Sequence, residues 1–458
     1  MKPTAALAAP PRKTIRPLRR RLLIAVTTLT AVVAPALAQN GVILDQQLDE
    51  NGKGYTVIRV WGSHYEMGYA QAQLLGDYIV QGVNDTKTFL GGNYDYVRAI
   101  MAGAVWMPPG IEDEIDAAVD CLAVTHPQES IDELDLKVTC TAGEWLYGCR
   151  SHTCWGRYVA EPIKTLSTRR LDFGTVLPSM NHHVLCTRDP ADGSPRWVNL
   201  GWAGLPTAAT GVNEFGTLVS LHDYQCQTDF APGRMPRMIA CRYALTFASD
   251  PDVSTHLDTV YTELQDYEIM TGSFVNYYAP EGYGGVMVCY PYQGGPDFYY
   301  CRAPQKVWHH GEAMITTNAW TDGTYTPADE NFGADAYYDD ESPKTLESHW
   351  HLLANSTSLH QLSVAYRGRE DMTIWADGRL DPGRTPRLEY EWYQLFDAPV
   401  CPGDLDGDDD TDQADLGILL ADWGCTGGDC PGDLDDDGDT DHADLGVLLA
   451  DWGCGTGP

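Results

Sequence analysis

A stretch near the C-terminus constrains the fold most. From Asp404 the chain places a carboxylate at every second position: Asp404, Asp406, Asp408, Asp410 and Asp412, with Asp415 at the twelfth. The pattern returns 29 residues later as Asp433, Asp435, Asp437, Asp439 and Asp441, with Asp444 twelfth. Carboxylates this dense repel one another unless a cation sits among them. Calcium takes about six to eight oxygens, and a loop of about twelve residues wraps alternate side chains around it. Each loop runs into an apolar stretch, residues 416–420 or 445–449, that reads as a short helix. Residues 401–458 are therefore expected to form a small α-helical domain holding two Ca2+ ions. The expected ligands are Asp404, Asp406, Asp408, Asp410 and Asp415 in one loop, and Asp433, Asp435, Asp437, Asp439 and Asp444 in the other.

This tail accounts for much of the formal net charge of -35. Seventeen aspartates lie between Asp404 and Asp451, and no Lys or Arg follows Arg387. Nucleic acid and anionic membranes attract clustered positive charge, so neither is an expected partner.

At the other end, Arg12, Lys13, Arg16, Arg19, Arg20 and Arg21 precede an apolar run over residues 22–33. Ala36-Leu37-Ala38 supplies a small-x-small cleavage pattern, and Gln39 is the expected mature first residue. Residues 1–38 thus read as a signal peptide and the protein as secreted, periplasmic or cell-surface. No later stretch is apolar for the ~20 residues of a membrane helix.

Export makes disulfides the expectation for the thirteen cysteines. Cys401 and Cys425 bracket one repeat, and Cys430 and Cys454 the other. Nine cysteines remain in the body, an odd number that leaves room for one free thiol.

The body reads as α+β. A strand over residues 55–60 leads through Ser63, an N-cap with Glu66 three residues on, into a helix over 64–80. Residues 85–147 read as mostly helical, broken at Pro108-Pro109-Gly110 and Pro127. Strand-like runs follow at 184–187, 197–202, 217–222, 274–278, 286–290 and 313–317. Helical ones lie at 235–247 and 253–264. No zinc-ligand spacing, G-x-S-x-G elbow or phosphate loop occurs, so His182, His183, His309, His310, His349 and His351 read as core or surface histidines. Cysteine remains as the candidate nucleophile: Gly148-Cys149 leaves room for attack on the bond before Cys149, and Arg169 and Asp172 follow.

Five segments in order resemble the penicillin acyltransferase family (acyl-coenzyme A:6-aminopenicillanate acyltransferase-like), relatives of bile-salt hydrolases. They are Gly62-Ser63-His64-Tyr65-Glu66-Met67-Gly68-Tyr69, Gly148-Cys149 with Trp155-Gly156, Arg169-Arg170-Leu171-Asp172, Gly211-Val212-Asn213-Glu214-Phe215-Gly216, and Thr317-Asn318. The tail resembles dockerin domains. The resemblance implies an αββα sandwich of the N-terminal nucleophile hydrolase type over residues 149–400, with residues 39–148 as the pro-region. It implies self-cleavage between Gly148 and Cys149, and Cys149 as nucleophile toward a small acyl amide or thioester. Asp172 would hold the freed α-amine, Arg169 would place positive charge near the thiolate, and Asn318 would donate to the amine or oxyanion. His222 stands where relatives often carry an oxyanion asparagine, and a ring N–H is its donor. Cys154 is the rival nucleophile, with pairing or core packing its expected role. The family needs no cofactor for catalysis. The tail is expected to contact a protein or cell-surface partner. The competing reading is a non-catalytic adhesion protein that uses the fold as scaffold.

Overall fold

The computed structural model describes residues 40–50, 52–103, 107–141, 149–172, 177–203, 206–223, 234–246, 270, 273–279, 283–289, 299–302, 308–309, 312–317, 334–353, 358–378, 387–396, 401–406, 410–427, 430–435 and 437–454. Among them are two sheets and several helices.

The first sheet is built from β1 (Gly41–Leu48), β2 (Gly54–Gly62), β5 (His182–Pro190), β6 (Trp197–Trp202), β7 (Thr210–Asn213), β8 (Leu218–Asp223), β9 (Ser273–Ala279), β10 (Tyr283–Cys289) and β11 (Tyr299–Arg302), in that spatial order. The second runs β12 (Trp308–His309), β13 (Ala313–Thr317), β3 (Cys149–Trp155), β4 (Thr165–Asp172), β14 (Ser358–Gly368), β15 (Asp371–Gly378) and β16 (Leu388–Glu391). Among these, β2 and β5 pair in parallel; the other ladders are antiparallel.

Strand alternation sorts the core into layers. Tyr55 and Val57 of β2, Val212 and Leu218 pack with Leu362, Val364 and Ile374 of the second sheet. The two sheets therefore bury a face against each other. Ile58 and Val60, on the other face of β2, join α1 (His64–Leu90), α3 (Pro109–Thr125), α4 (Glu133–Thr139) and α5 (Arg237–Leu245). The far side of the second sheet offers Cys154, Leu166 and Ile315 to Tyr338 of α6 (Ala334–Asp339) and Leu346 of α7 (Leu346–Leu353). Helices thus cover both outer faces, with two sheets inside.

Helix α1 begins where expected. Ser63 accepts from the Glu66 N–H and Glu66 reaches back to the Ser63 N–H. It runs past residue 80 to Leu90, because Leu75, Ile79, Val83, Thr86 and Leu90 keep a buried stripe at helical spacing. Pro109 starts a helix instead of breaking one, since the first helical position has no N–H bond to lose. Gly68 is required by close packing: a Cβ there would lie 2.4 Å from the Glu114 carbonyl oxygen on α3. No described helix is long and apolar enough to cross a membrane.

In the tail, α9 (Gln413–Ala421) and α10 (His442–Ala450) each start from a capping box. Asp412 and Asp441 are the N-caps, and Asp415 and Asp444 reach back to them. The two repeats interlock symmetrically. Asp451 accepts from the Gly403 N–H and the Thr411 hydroxyl, and Asp422 accepts from the Gly432 N–H and the Thr440 hydroxyl. The disulfides follow this symmetry. They join Cys401 to Cys454 and Cys425 to Cys430, linking one repeat to the other instead of closing each bracket.

Six of the nine body cysteines are described; the side chains of Cys226, Cys289 and Cys301 lie outside the described part of the structure. Cys121, Cys140, Cys149, Cys154, Cys186 and Cys241 are buried and carry no disulfide among the described residues. With more than one body thiol outside any disulfide, parity alone singles out none of them.

Candidate active site

Cys149 is the first residue of β3 and is 6% exposed. Across the ladder it faces Leu171, and Ser151 faces Arg169. Residues two apart share a face, so Cys149, Ser151 and Arg169 all point between the sheets. The interior there is polar. Arg169 Nη2 donates to Cys149 Sγ at 3.0 Å and to the Leu221 carbonyl at 2.8 Å. Its Nη1 donates to His360 Nε2 at 3.5 Å. Arg169 is fully buried, and none of these acceptors is a carboxylate.

That arrangement differs from the one around two other buried arginines. Arg188 and Arg242 close on Glu114, with Arg188 Nη1 2.8 Å from Oε2 and Arg242 Nη1 2.9 Å from the same oxygen. Burial is the largest single influence on Glu114 and acts upward. The two guanidiniums and His64 outweigh it and hold the carboxyl well below its usual range. Arg169 has no such partner among the described side chains, and an arginine stays charged at every working pH. Its charge therefore acts on the Cys149 sulfur, where it favours thiolate.

Imidazoles complete the site. Ser151 Oγ lies 2.6 Å from His222 Nε2 and 3.0 Å from Ser220 Oγ. His222 is fully buried; desolvation first, and Arg169 second, push its pKa well below the ordinary value, so the ring is neutral. Its Nδ1 has no hydrogen-bond partner among the described residues. His360 Nε2 also lies 3.2 Å from Thr210 Oγ1, and its ring is 5.6 Å from those of His183 and Trp202.

Of the expected site residues, Cys149, Arg169 and His222 thus gather at one place. Asp172 ends β4, paired with Ser358, but its side chain lies outside the described part of the structure. Gly148 and Asn318 also lie outside the described residues. Asn213 is a turn residue: its Oδ1 accepts from the Phe215 and Thr217 N–H groups. Cys154 faces the opposite side of β3, in the core, where burial pushes its thiol up to about 12. His152 and His349 stack there at 3.6 Å and bond Tyr338 and Thr168, a filled core cluster. Reading the sequence missed Ser151, Ser220, Thr210 and His360. The available signal was alternation: Ser151 lies two residues from Cys149, and His360 two from the buried Leu362.

In the tail, carboxylate oxygens of Asp404, Asp406 and Asp415 lie within 4.8 Å of one another, as do those of Asp410, Asp412 and Asp415, and of Asp433, Asp435 and Asp444. Asp408 lies outside the described residues. Gly438, at the sixth position of the second loop, has φ +95°, a turn that favours glycine; its counterpart Asp409 lies outside the described residues. Asp437 is the main cause raising the Asp439 carboxyl above its ordinary pKa. Mutual repulsion of this kind, in a loop of oxygen donors only, fits a hard divalent cation.

No family model matches the chain, and no curated protein matches it. Among solved structures it is similar to the Caenorhabditis elegans N-acylethanolamine-hydrolyzing acid amidase ortholog, at 15% identity over 47% of this chain and 92% of that one, TM-score 0.31. It is also similar to two variants of the conjugated bile acid hydrolase from Clostridium perfringens, at 11% and 10% identity. Each covers 53% of this chain and 92% of that chain, with TM-score 0.31. Likeness at this level assigns no family, and any function has to rest on the site's own geometry.

Proposed function

We propose that the protein is an exported, self-processing cysteine amidohydrolase or acyltransferase of the N-terminal nucleophile type. The observation that carries this reading is the fully buried Arg169, which donates to Cys149 Sγ and has no carboxylate among its described partners.

Cleavage of the Gly148–Cys149 bond frees the Cys149 α-amine, whose reference pKa of about 8 suits a general base near neutral pH. The amine takes the thiol proton, and the sulfur attacks the carbonyl of an amide or thioester. The tetrahedral intermediate collapses as the C–N or C–S bond breaks, and the amine returns its proton to the leaving group. An acyl group remains on sulfur until water hydrolyses it or an amine carries it away. Arg169 stabilises the thiolate. His222 donates to the oxyanion through Nδ1, since Nε2 is engaged by Ser151. Asn318 is the second donor, and Asp172 holds the amine. The tail, on this reading, binds two Ca2+ ions through the two loops and presents the enzyme to a protein or cell surface.

The test is the intact mass of purified protein. A fragment beginning at Cys149, absent from the Cys149→Ala variant, is expected. That fragment should then release acyl groups from members of an N-acyl amide panel. A chain that stays whole from Gln39 onward at neutral pH ends the self-processing reading.

A further inference from the structure

We propose that His360 is the positioning residue of this site, a neutral acceptor that turns the Arg169 guanidinium onto Cys149 without competing for its charge. This inference rests on the Cys149 reading and deepens it.

Arginine has only donors. In the Arg169 Nη1···His360 Nε2 contact of 3.5 Å, Nε2 must therefore accept, and the ring proton sits on Nδ1. The Thr210 hydroxyl, 3.2 Å from the same nitrogen, shares its one lone pair as a second donor, and Nδ1 has no hydrogen-bond partner among the described residues. The ring cannot also be cationic, since that would set two positive groups in contact inside the sandwich. Its other neighbours are His183 and Trp202; around Arg169 itself stand Cys149 and the Leu221 carbonyl. His222 and Cys241 also feel the Arg169 charge. No carboxylate is among these groups.

The Glu114 cluster shows the alternative. There the carboxylate fixes Arg188 and Arg242 and neutralises charge while doing so. His360 supplies orientation alone. Nη1 is held on one side and the Leu221 carbonyl takes one Nη2 hydrogen, so the other points at the sulfur. The full cationic charge is left for the thiolate.

Three variants separate orientation from charge: His360→Gln keeps an acceptor, His360→Leu removes it, and His360→Glu adds a rival anion. Thiolate absorbance is titrated as the difference between each protein and the same protein carrying Cys149→Ser, which cancels the other thiols. The Gln variant is expected to match the parent. The Leu variant should raise the Cys149 thiol pKa, and the Glu variant should raise it most. At any given pH the Glu variant should show a roughly tenfold lower thiolate-to-thiol ratio, the effect of a shift of about one unit. A merely structural histidine gives no such order.

Thermal melts establish folding. If the Leu variant does not fold, the nearly isosteric Gln and Glu pair decides. A Glu variant as acidic at Cys149 as an acidic parent overturns the role of His360 and leaves the functional reading standing. A parent whose Cys149 titrates no lower than an ordinary thiol, about 8.5, overturns the Arg169 argument and this inference with it.

Discussion

Replacing Glu114 by glutamine removes one formal charge from the most densely ionic point of the helix layer and changes almost no volume. Glu114 is 2% exposed, and Arg188 and Arg242 beside it are 1% and 2% exposed. Its oxygens accept from Arg188 Nη1, from both terminal nitrogens of Arg242, and from His64 Nδ1 at 3.0 Å. The variant leaves two buried guanidiniums facing an amide whose NH2 repels one of them. Removing one member of such a group typically costs about 3–5 kcal/mol, because the remaining charges stay buried without compensation. The folding equilibrium constant should fall on the order of a hundred- to a few thousandfold. Denaturant unfolding of the mature protein, followed by circular dichroism, reads this as a lowered midpoint. The pH dependence supplies a second check. The carboxyl is held below its ordinary 4.5 in the fold, so its contribution is complete above that value and is lost as pH falls through the depressed one. The gap between parent and Glu114→Gln should be widest near neutrality and shrink below pH ~4.5. Replacing all three charges (Glu114→Leu with Arg188→Met and Arg242→Met) should recover much of the loss, since no buried charge is then stranded. A Glu114→Gln midpoint within about 0.5 kcal/mol of the parent, in the range of an innocuous surface change, would falsify this account. So would a triple variant weaker than the single one.

Arg169→Met should raise the Cys149 thiol pKa by about one unit or more, measured by the same thiolate difference titration. Arg169→Lys should recover part of this shift, because a single ammonium does not reproduce the forked reach to both sulfur and the Leu221 carbonyl. Calorimetry should find two calcium ions per chain, and Asp415→Ala or Asp444→Ala should each leave one. Chelator should erase part of the helical circular dichroism. Among the disulfides, opening Cys401–Cys454, which spans 53 residues, should cost the tail about 4 kcal/mol by loop entropy. Opening Cys425–Cys430, spanning 5, should cost about 2; thermal melts of the paired Cys→Ser variants give the order.

Strands with uninterrupted apolar character were legible in the sequence. Residues 197–202 and 313–317 form strands over those same positions. The strand beginning at Cys149 was less so, since Arg150, Ser151, His152 and Thr153 look like surface. These side chains are largely buried because each finds a polar partner, as Thr153 does in Ser167 and His152 in Tyr338. β14 escaped for the same reason. It is covered on both faces, and His360, Gln361 and Ser363 blur the alternation that marks a half-buried strand. Motif order singled out Cys149 and Arg169, the two residues that the structure places in contact. That Arg169 meets no carboxylate among the described side chains was not readable in the sequence, because it depends on strands meeting across a gap between sheets. The same limit hid the Glu114 cluster, whose members come from α3, β5 and α5. The expected helix over residues 253–264 lies outside the described residues.

The crossed disulfides make the tail a closed circuit. The chain enters at Cys401, and the bond to Cys454 returns its far end to that entry point. A single backbone cut anywhere between those residues opens the ring but frees nothing: both acidic loops stay covalently tied to the body. Tension arriving through residue 401 likewise reaches both ends of the tail at once, so neither helix is peeled before the other. A protease would need two cuts to release a fragment, and a pair with one cut between Cys425 and Cys430 and the other elsewhere in the ring still releases none.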